Sequence, residues 1–431
     1  MICNNLSVNE NGHLVFAGKD TVELAKKYGT PLMLLDEGKI REKCSIYRSA
    51  MQKYFTPDSM PLFASKALSF KYIYKIAASE NIGIDCVSGG EIYTAFKAGF
   101  PLERAYFHGN SKTDDEIRFA VEHGVGHFVC DSVEEVAAVN EIVGQMGRKQ
   151  KVLLRITPGI DPHTHKKIST GSVDSKFGVA IETNQAFELV EGVLKLENIE
   201  LTGFHCHIGS QIFEYEPFCD AARIMIKFIA DIKNMYGYEA LQLNLGGGMA
   251  VRYTEADPEI DYDANIKGIA DIVKELCSQY SVKLPQILME PGRSIVADAG
   301  LTLYTAGYLK EITGVKNYIS IDGGMTDNPR FTLYQSPYTV VLANRMNEDC
   351  SYKCTVAGRC CESGDIIQED VMMPKPRRHD IIAVLTTGAY NYAMASHYNK
   401  VPKPEVVMIK GDEDFTVIKR ETYESMISNE I

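Results

Sequence analysis

Along the first two thirds of the chain, a short apolar run, a polar or glycine-bearing end and an amphipathic stretch recur in that order. Eight runs can be read: PLFASKA (61–67), IGIDCVSGG (82–90), RAYFHGN (104–110), HFVCDS (127–132), VLLRITPG (152–159), LTGFHCHIGS (201–210), LQLNLGGG (241–248) and QILMEPGR (286–293). Between them, stretches such as SVEEVAAVNEIVGQM and YDANIKGIADIVKELCSQY have helical spacing. Eight strand and helix units in about 250 residues are the arithmetic of a parallel (β/α)₈ barrel, an α/β fold whose chemistry sits at the carboxyl ends of the strands. The count alone leaves a doubly wound sheet open, but reactive residue types cluster at these ends and favour the barrel.

After about residue 298 the pattern changes to strand-rich segments without long helices, among them LTLYTAGYLKEI, NYISIDGG, SYKCTVAG, DIIAVLTTGAY and EVVMIKG. The expected division is a barrel over 36–298 and a second, all-β domain over 299–431 that also takes in 1–35. NGHLVFAG and PLMLLDEG could each add a strand to that domain before a helix near 37–55 enters the barrel. The loop from Pro158 to about Val179 is long and polar, as functional or disordered loops are.

At 431 residues the chain exceeds one small domain, and its 45% apolar and 24% charged content is that of a soluble globular protein. No apolar stretch is long enough for a membrane span, and the start MICNNLSVNENGHLVF lacks a signal-peptide pattern, so a cytoplasmic location is expected. A net charge of −12 without basic clusters argues against nucleic acid as a partner. The eleven cysteines fall mostly in apolar runs and read as reduced thiols rather than a disulfide framework.

Lys66 stands alone in the apolar PLFASKALSF, where Phe63, Ala64 and Ala67 would desolvate its ammonium group and favour the neutral amine a Schiff base needs. LNLGGGMA and HIGSQ, with Ser210, expose backbone N–H groups suited to a phosphate, although GGG alone is equally a tight turn. GGGMAV is not a dinucleotide fingerprint. In FHCHIGS, His205 and His207 would project to one side of a strand, either as a metal pair or as one core and one pocket histidine; no ligand cluster accompanies them, so no metal is expected. Glu290 and Arg293 in MEPGRSI could hold a ring-nitrogen proton and clamp an anion, or pair with each other. Arg330, Tyr334, Cys361, Glu362, Asp365 and Tyr390 lie in loops of the β-rich region, where turn chemistry is the competing explanation. A lysine, an anion cradle, a ring-facing histidine and a carboxylate for a ring nitrogen together match the needs of pyridoxal 5'-phosphate.

FASKA, DCVSGGE, HGNSK, STGSVDSKFGV, HCHIGSQ, LNLGGG, EPGRSIVADAG, DNPRFTLY, CESGD and GAYNYAMASHYN, in this order, resemble the fold-type III pyridoxal phosphate enzymes and most closely the diaminopimelate decarboxylase family. The resemblance implies Lys66 as the covalent anchor and His207 stacked on the cofactor ring. It implies Ser210, Gly247, Gly248, Gly292 and Arg293 around the phosphate, and Glu290 on the pyridine nitrogen. Tyr390 would lie beside cofactor and substrate, Arg293, Arg330 and Tyr334 would grip a distal carboxylate, and Glu362 a distal amine. Cys361 would protonate the product carbon. It further implies decarboxylation of meso-2,6-diaminopimelate to L-lysine by a homodimer with shared active sites, with ornithine, D-amino acids or carboxynorspermidine as alternative substrates. A non-catalytic relative should lack the lysine or the glycine loop, and both are present. Phe331 and Cys360 depart from the residues common in the family at those positions.

Overall fold

The computed structural model describes residues 2–159 and 176–431. The chain divides into two units, Lys43–Ala250 with Ile260–Gly292, and Met1–Glu42 with Val251–Glu259 and Arg293–Ile431.

In the first unit each of the eight apolar runs is a strand: β1 Met60–Ala64, β2 Gly83–Cys86, β3 Ala105–Phe107, β4 His127–Cys130, β5 Gln150–Thr157, β6 Ile199–His205, β7 Gln242–Asn244 and β8 Gln286–Met289. Successive strands pair in parallel and β8 pairs with β1. The sheet therefore closes, which removes the doubly wound alternative. Leu62, Tyr106, Val129, Leu153 and Leu288 form a fully buried cluster, each from a different strand. Because strand side chains alternate, the residues two positions further on, including His108, Arg155 and Glu290, follow on the same side and place a polar layer above an apolar one.

Local chemistry sets where the surrounding helices start. Ser88 and Ser132 accept hydrogen bonds from the Glu91 and Glu135 N–H groups, and Thr113 forms a reciprocal capping box with Glu116. Each cap contributes about 1 kcal/mol and holds a strand-to-helix loop in one conformation. Lys112 adds a buried tie between two of these loops: its ammonium donates to the Gly109 and Val129 carbonyls, both at 2.8 Å, and pairs with Glu135.

The second unit is built on the long strand Gly300–Ile312. Its first half pairs with Leu32–Asp36 and Ile381–Leu385, and its second half with Lys316–Ile321. Glu405–Lys410 extends the sheet beyond Leu32–Asp36, so the N-terminal PLMLLDEG run supplies a strand in the middle of the sheet. NGHLVFAG behaves differently: Leu14–Phe16 pairs with Leu6–Val8 and Lys19–Asp20 in a separate three-stranded sheet. It joins this unit by packing, because Leu14 and Phe16 share a buried cluster with Leu32, Leu34, Leu301 and Leu303. Ile366–Met373 is a strand that sequence reading passed over, since its centre, Gln-Glu-Asp, interrupts the apolar alternation. Leu303 is fully buried in the cluster, and Leu303→Ala is expected to cost about 2–5 kcal/mol in denaturant unfolding. A loss below about 1 kcal/mol would show that neighbours refill the space.

Among the described residues no helix is long and apolar enough to cross a membrane, and the cysteines form no disulfide.

Candidate active site

The polar layer of the barrel centres on Glu290, which is 6% exposed one residue beyond β8. Asn244 of β7 donates to its Oε1 at 2.7 Å, and His205 Nε2 of β6 lies 3.3 Å from its Oε2. His108, following β3, brings Nε2 to 3.0 Å from Oε1 and 3.8 Å from Asp85 Oδ1 of β2. Burial would neutralise Glu290, but His108 and His205 outweigh it and hold the carboxyl well below the usual range. Burial, only partly offset by Glu290, pushes His205 down to about 4, so it donates as a neutral ring. His205 thus meets His108 and Glu290, whose donor atoms fall within 4.8 Å of one another. With His205 neutral, its contact with Glu290 is a hydrogen bond, and the cationic partner of that carboxylate is His108.

His207 is not on the strand. β6 ends at His205, so the alternation expected to align the two histidines stops there. Instead His207 Nδ1 accepts the Gly247 N–H at 3.2 Å, and its half-buried ring stays with the glycine loop. Burial, then the charges of Lys66 and Arg155, keep its pKa well below the histidine range. The loop itself needs glycine for a steric reason. A Cβ on Gly246 would lie 2.5 Å from the Cys206 carbonyl, and one on Gly248, at φ 125°, would lie 2.4 Å from the Gly209 carbonyl. GGG and HIGS are therefore packed backbone against backbone, with the Gly246 N–H donated to Asn244 Oδ1 at 2.9 Å. Similarly, a Cβ on Gly292 would meet the Ala64 Cβ at 2.9 Å.

Lys66 follows β1 in the short turn Ser65–Ala67. Phe63, Ala64 and Ala67 are buried as expected, but the Lys66 side chain is exposed. That exposure differs from the desolvated setting expected from those neighbours. The Lys66 charge is felt by Asp85, Glu91 and His207. These residues fit pyridoxal phosphate: an exposed lysine, a half-buried ring beside a glycine loop that only residues without a Cβ can form, and a buried ionised carboxylate.

In the second unit, Arg293 and Arg330 are 5% and 6% exposed. Arg293 Nη1 donates to the Tyr253 hydroxyl at 2.7 Å, and its guanidinium lies 4.9 Å from the Tyr390 ring. Arg330 lies 5.7 Å from the rings of Tyr253, Tyr334 and Tyr390. It donates to Ser336 Oγ at 3.0 Å, its Nε has no hydrogen-bond partner, and it forms no ion pair among the described residues. Such an aromatic cage stabilises cations by about 0.5–2 kcal/mol per ring, short of the desolvation cost of a buried charge, which an anionic ligand would offset. Tyr390 has φ 59°, a left-handed conformation that costs a bulky residue about 1–3 kcal/mol and is concentrated at functional sites.

Cys361 and Glu362 are exposed on a loop anchored by the buried Asp365. Asp365 accepts the Met325 N–H at 2.6 Å and the Cys360 N–H at 2.7 Å, while Asn399 Oδ1 accepts the Cys361 N–H at 2.7 Å. Asp365→Ala removes two acceptors, so amide exchange over 358–365 should accelerate about 5- to 150-fold, matching about 1–3 kcal/mol. Unchanged exchange would mean that Asn399 and the turn suffice to hold the loop.

Sequence reading missed Asp85, His108, Arg155, Asn244 and Tyr253. For His108 and Arg155 a signal existed, since each stands two residues beyond a core position of its strand, Tyr106 and Leu153, whereas Asp85 and Asn244 follow Gly83 and Gln242 and had none. For Tyr253 there was none. The motif STGSVDSKFGV and the long polar loop fall mostly on 160–175, outside the described residues.

Comparison with known proteins gives one consistent result. The family described as pyridoxal-dependent decarboxylase, pyridoxal binding domain, matches residues 37–297. The diaminopimelate decarboxylase of Bacillus subtilis is 44% identical over 97% of this chain and 95% of its own length. That of Staphylococcus aureus is 41% identical over 98% of each chain. The crystal structure of the M. jannaschii diaminopimelate decarboxylase in complex with L-lysine superimposes with a TM-score of 0.91, at 33% identity, over 99% of this chain and 98% of the other. A closed barrel with an ionised glutamate and a lysine at its strand ends, and near full-length similarity of this degree, establish that the chain belongs to the pyridoxal-dependent decarboxylases, within the diaminopimelate decarboxylase family.

Proposed function

We propose that this chain decarboxylates meso-2,6-diaminopimelate at its D-configured centre, giving L-lysine and CO₂ with pyridoxal 5'-phosphate as cofactor. The observation that carries the substrate assignment is Arg330, a buried cation without a carboxylate partner among the described residues. A site built around such a group rejects substrates that leave it unpaired, which separates a dicarboxylic diamine from ornithine or a free D-amino acid.

When bound, the cofactor supplies an electron sink for the pair left as CO₂ departs. Lys66 would hold it covalently through its amine. Glu290 would keep a proton on the ring nitrogen, and His207 would pack against the ring. Ser210, Gly247, Gly248, Gly292 and Arg293 hold the phosphate. Arg293 serves both the phosphate and the distal carboxylate, because its guanidinium has five donors. Arg330 and Tyr334 join it in binding the distal carboxylate, Glu362 binds the distal ammonium, and Tyr390 packs beside both ligands. Cys361 delivers a proton from Sγ to the carbon that lost CO₂, and its exposed loop lets it be reloaded from solvent. We further propose that a barrel over 36–298 and the remaining β-rich segments act together in a cytoplasmic homodimer with shared active sites, as the family resemblance implies.

Carbon dioxide release measured across diaminopimelate, ornithine, lysine and carboxynorspermidine tests the assignment. Diaminopimelate should be strongly preferred. Preference for ornithine would overturn it in favour of a basic amino-acid decarboxylase.

A further inference from the structure

His108 carries no role in the function proposed above, yet its Nε2 is placed 3.0 Å from one buried carboxylate, Glu290, and 3.8 Å from another, Asp85. Asp85 is 2% exposed and His108 4%, and neither Asp85 Oδ1 nor His108 Nε2 has a hydrogen bond of good geometry. The imidazole thus points between the two acids rather than along a line to either. Its ring meets that of His205 edge-on, with centroids 4.9 Å apart. Asn244 and His205 occupy one lone pair on Oε1 and one on Oε2 of Glu290. A carboxylate has about four such positions, so after the approach of His108 to Oε1 one on Oε2 is left for a further donor.

Two carboxylates buried in one polar layer cannot both stay ionised without a cation between them. From these contacts we infer that His108 is a positioning residue: it stands as the cation between Asp85 and Glu290, so that Glu290 remains an ionised acceptor for the cofactor's ring nitrogen. The inference rests on the cofactor assignment above. The charged groups around His108 are consistent with it. Burial opposes its charge, but Asp85 and Glu290 outweigh burial and raise its pKa, against a smaller opposing effect from Arg155. Asp85 is itself raised by burial and by Glu290, with His108, Lys66 and Arg155 acting the other way. Glu91 also feels His108, and His205 remains neutral.

The consequence is specific. Without the imidazolium, the two acids compete for a proton, and a share of it falls on Glu290 as pH decreases. A protonated Glu290 no longer accepts from the ring nitrogen, so cofactor binding in His108→Gln should weaken towards low pH. Removing the second acid should remove the competition, so that His108→Gln with Asp85→Asn regains a flat profile.

The test is equilibrium binding of pyridoxal phosphate to apoprotein between about pH 6 and pH 9, with the ¹⁵N shift of ring-labelled cofactor recorded in parallel. Wild type should be nearly flat. His108→Gln should lose about 10-fold in affinity at the acid end relative to the alkaline end, with the ring-nitrogen resonance moving towards its unprotonated position, and the double variant should recover. A pH-independent loss in His108→Gln that the double variant does not recover would mark a structural role and overturn the inference. Wild-type affinity and shift in His108→Gln would overturn it too. A wild-type chain that binds no cofactor would overturn the cofactor assignment itself, a result distinct from either.

Discussion

Lys66→Ala should abolish measurable CO₂ release, a loss of more than about 10³-fold, while the far-ultraviolet spectrum and thermal midpoint stay close to wild type. The size follows from covalent anchoring, for which no neighbouring amine is a substitute at that position. The structural innocence follows from exposure: the Lys66 side chain projects from a short turn beyond β1, and the buried residues around it, Phe63, Ala64 and Ala67, remain. The near-visible band of wild type with added cofactor should be absent in the variant. Turnover within about 10-fold of wild type would remove Lys66 from the mechanism.

Arg330→Met should separate function from stability in the opposite direction from an ordinary core substitution. Arg330 is 6% exposed, donates to Ser336 and has an unpartnered Nε, so in the free protein its charge is desolvated without a counter-ion among the described residues. A methionine of similar volume escapes that cost, and the thermal midpoint should hold or rise. For diaminopimelate, kcat/KM should fall about 30- to 4,000-fold, which corresponds to the about 2–5 kcal/mol lost when one member of a buried charge pair is truncated. Most of the loss should appear in KM if the distal carboxylate is held equally before and during reaction. Any residual activity on lysine, which lacks that carboxylate, should be little changed. An equal loss on both substrates would mean that Arg330 supports the cage of tyrosines rather than the substrate.

The sites of these two variants differ in how they could be read. Lys66 was conspicuous because an ammonium group interrupts an apolar run, but the reason first attached to it, desolvation by its neighbours, does not survive the exposed side chain. Glu290 and Arg330 were legible as charged groups at strand or loop ends. The company Glu290 keeps was not, since Asp85, His108, His205 and Asn244 come from four other strands or strand ends. For His207 the expected strand geometry was wrong, because strand alternation cannot predict where a strand stops. Tyr253, which accepts from Arg293, stands in a segment whose local pattern has no strand or turn signal to single it out.

What the amino-acid order determined by itself is the repeat of eight strand and helix units, the β-rich remainder and the placing of reactive groups at strand ends. These are local properties: hydrophobic periodicity, capping residues and turn chemistry act over a few positions, and each strand in the barrel carries its own apolar run. Closure of the sheet, the separation of Leu14–Phe16 into its own small sheet, and the meeting of Asp85, His108, His205 and Glu290 were decided only by the tertiary structure. Charges far apart in sequence acquire their protonation states from burial and from one another, and neither exists until the barrel brings them into one layer.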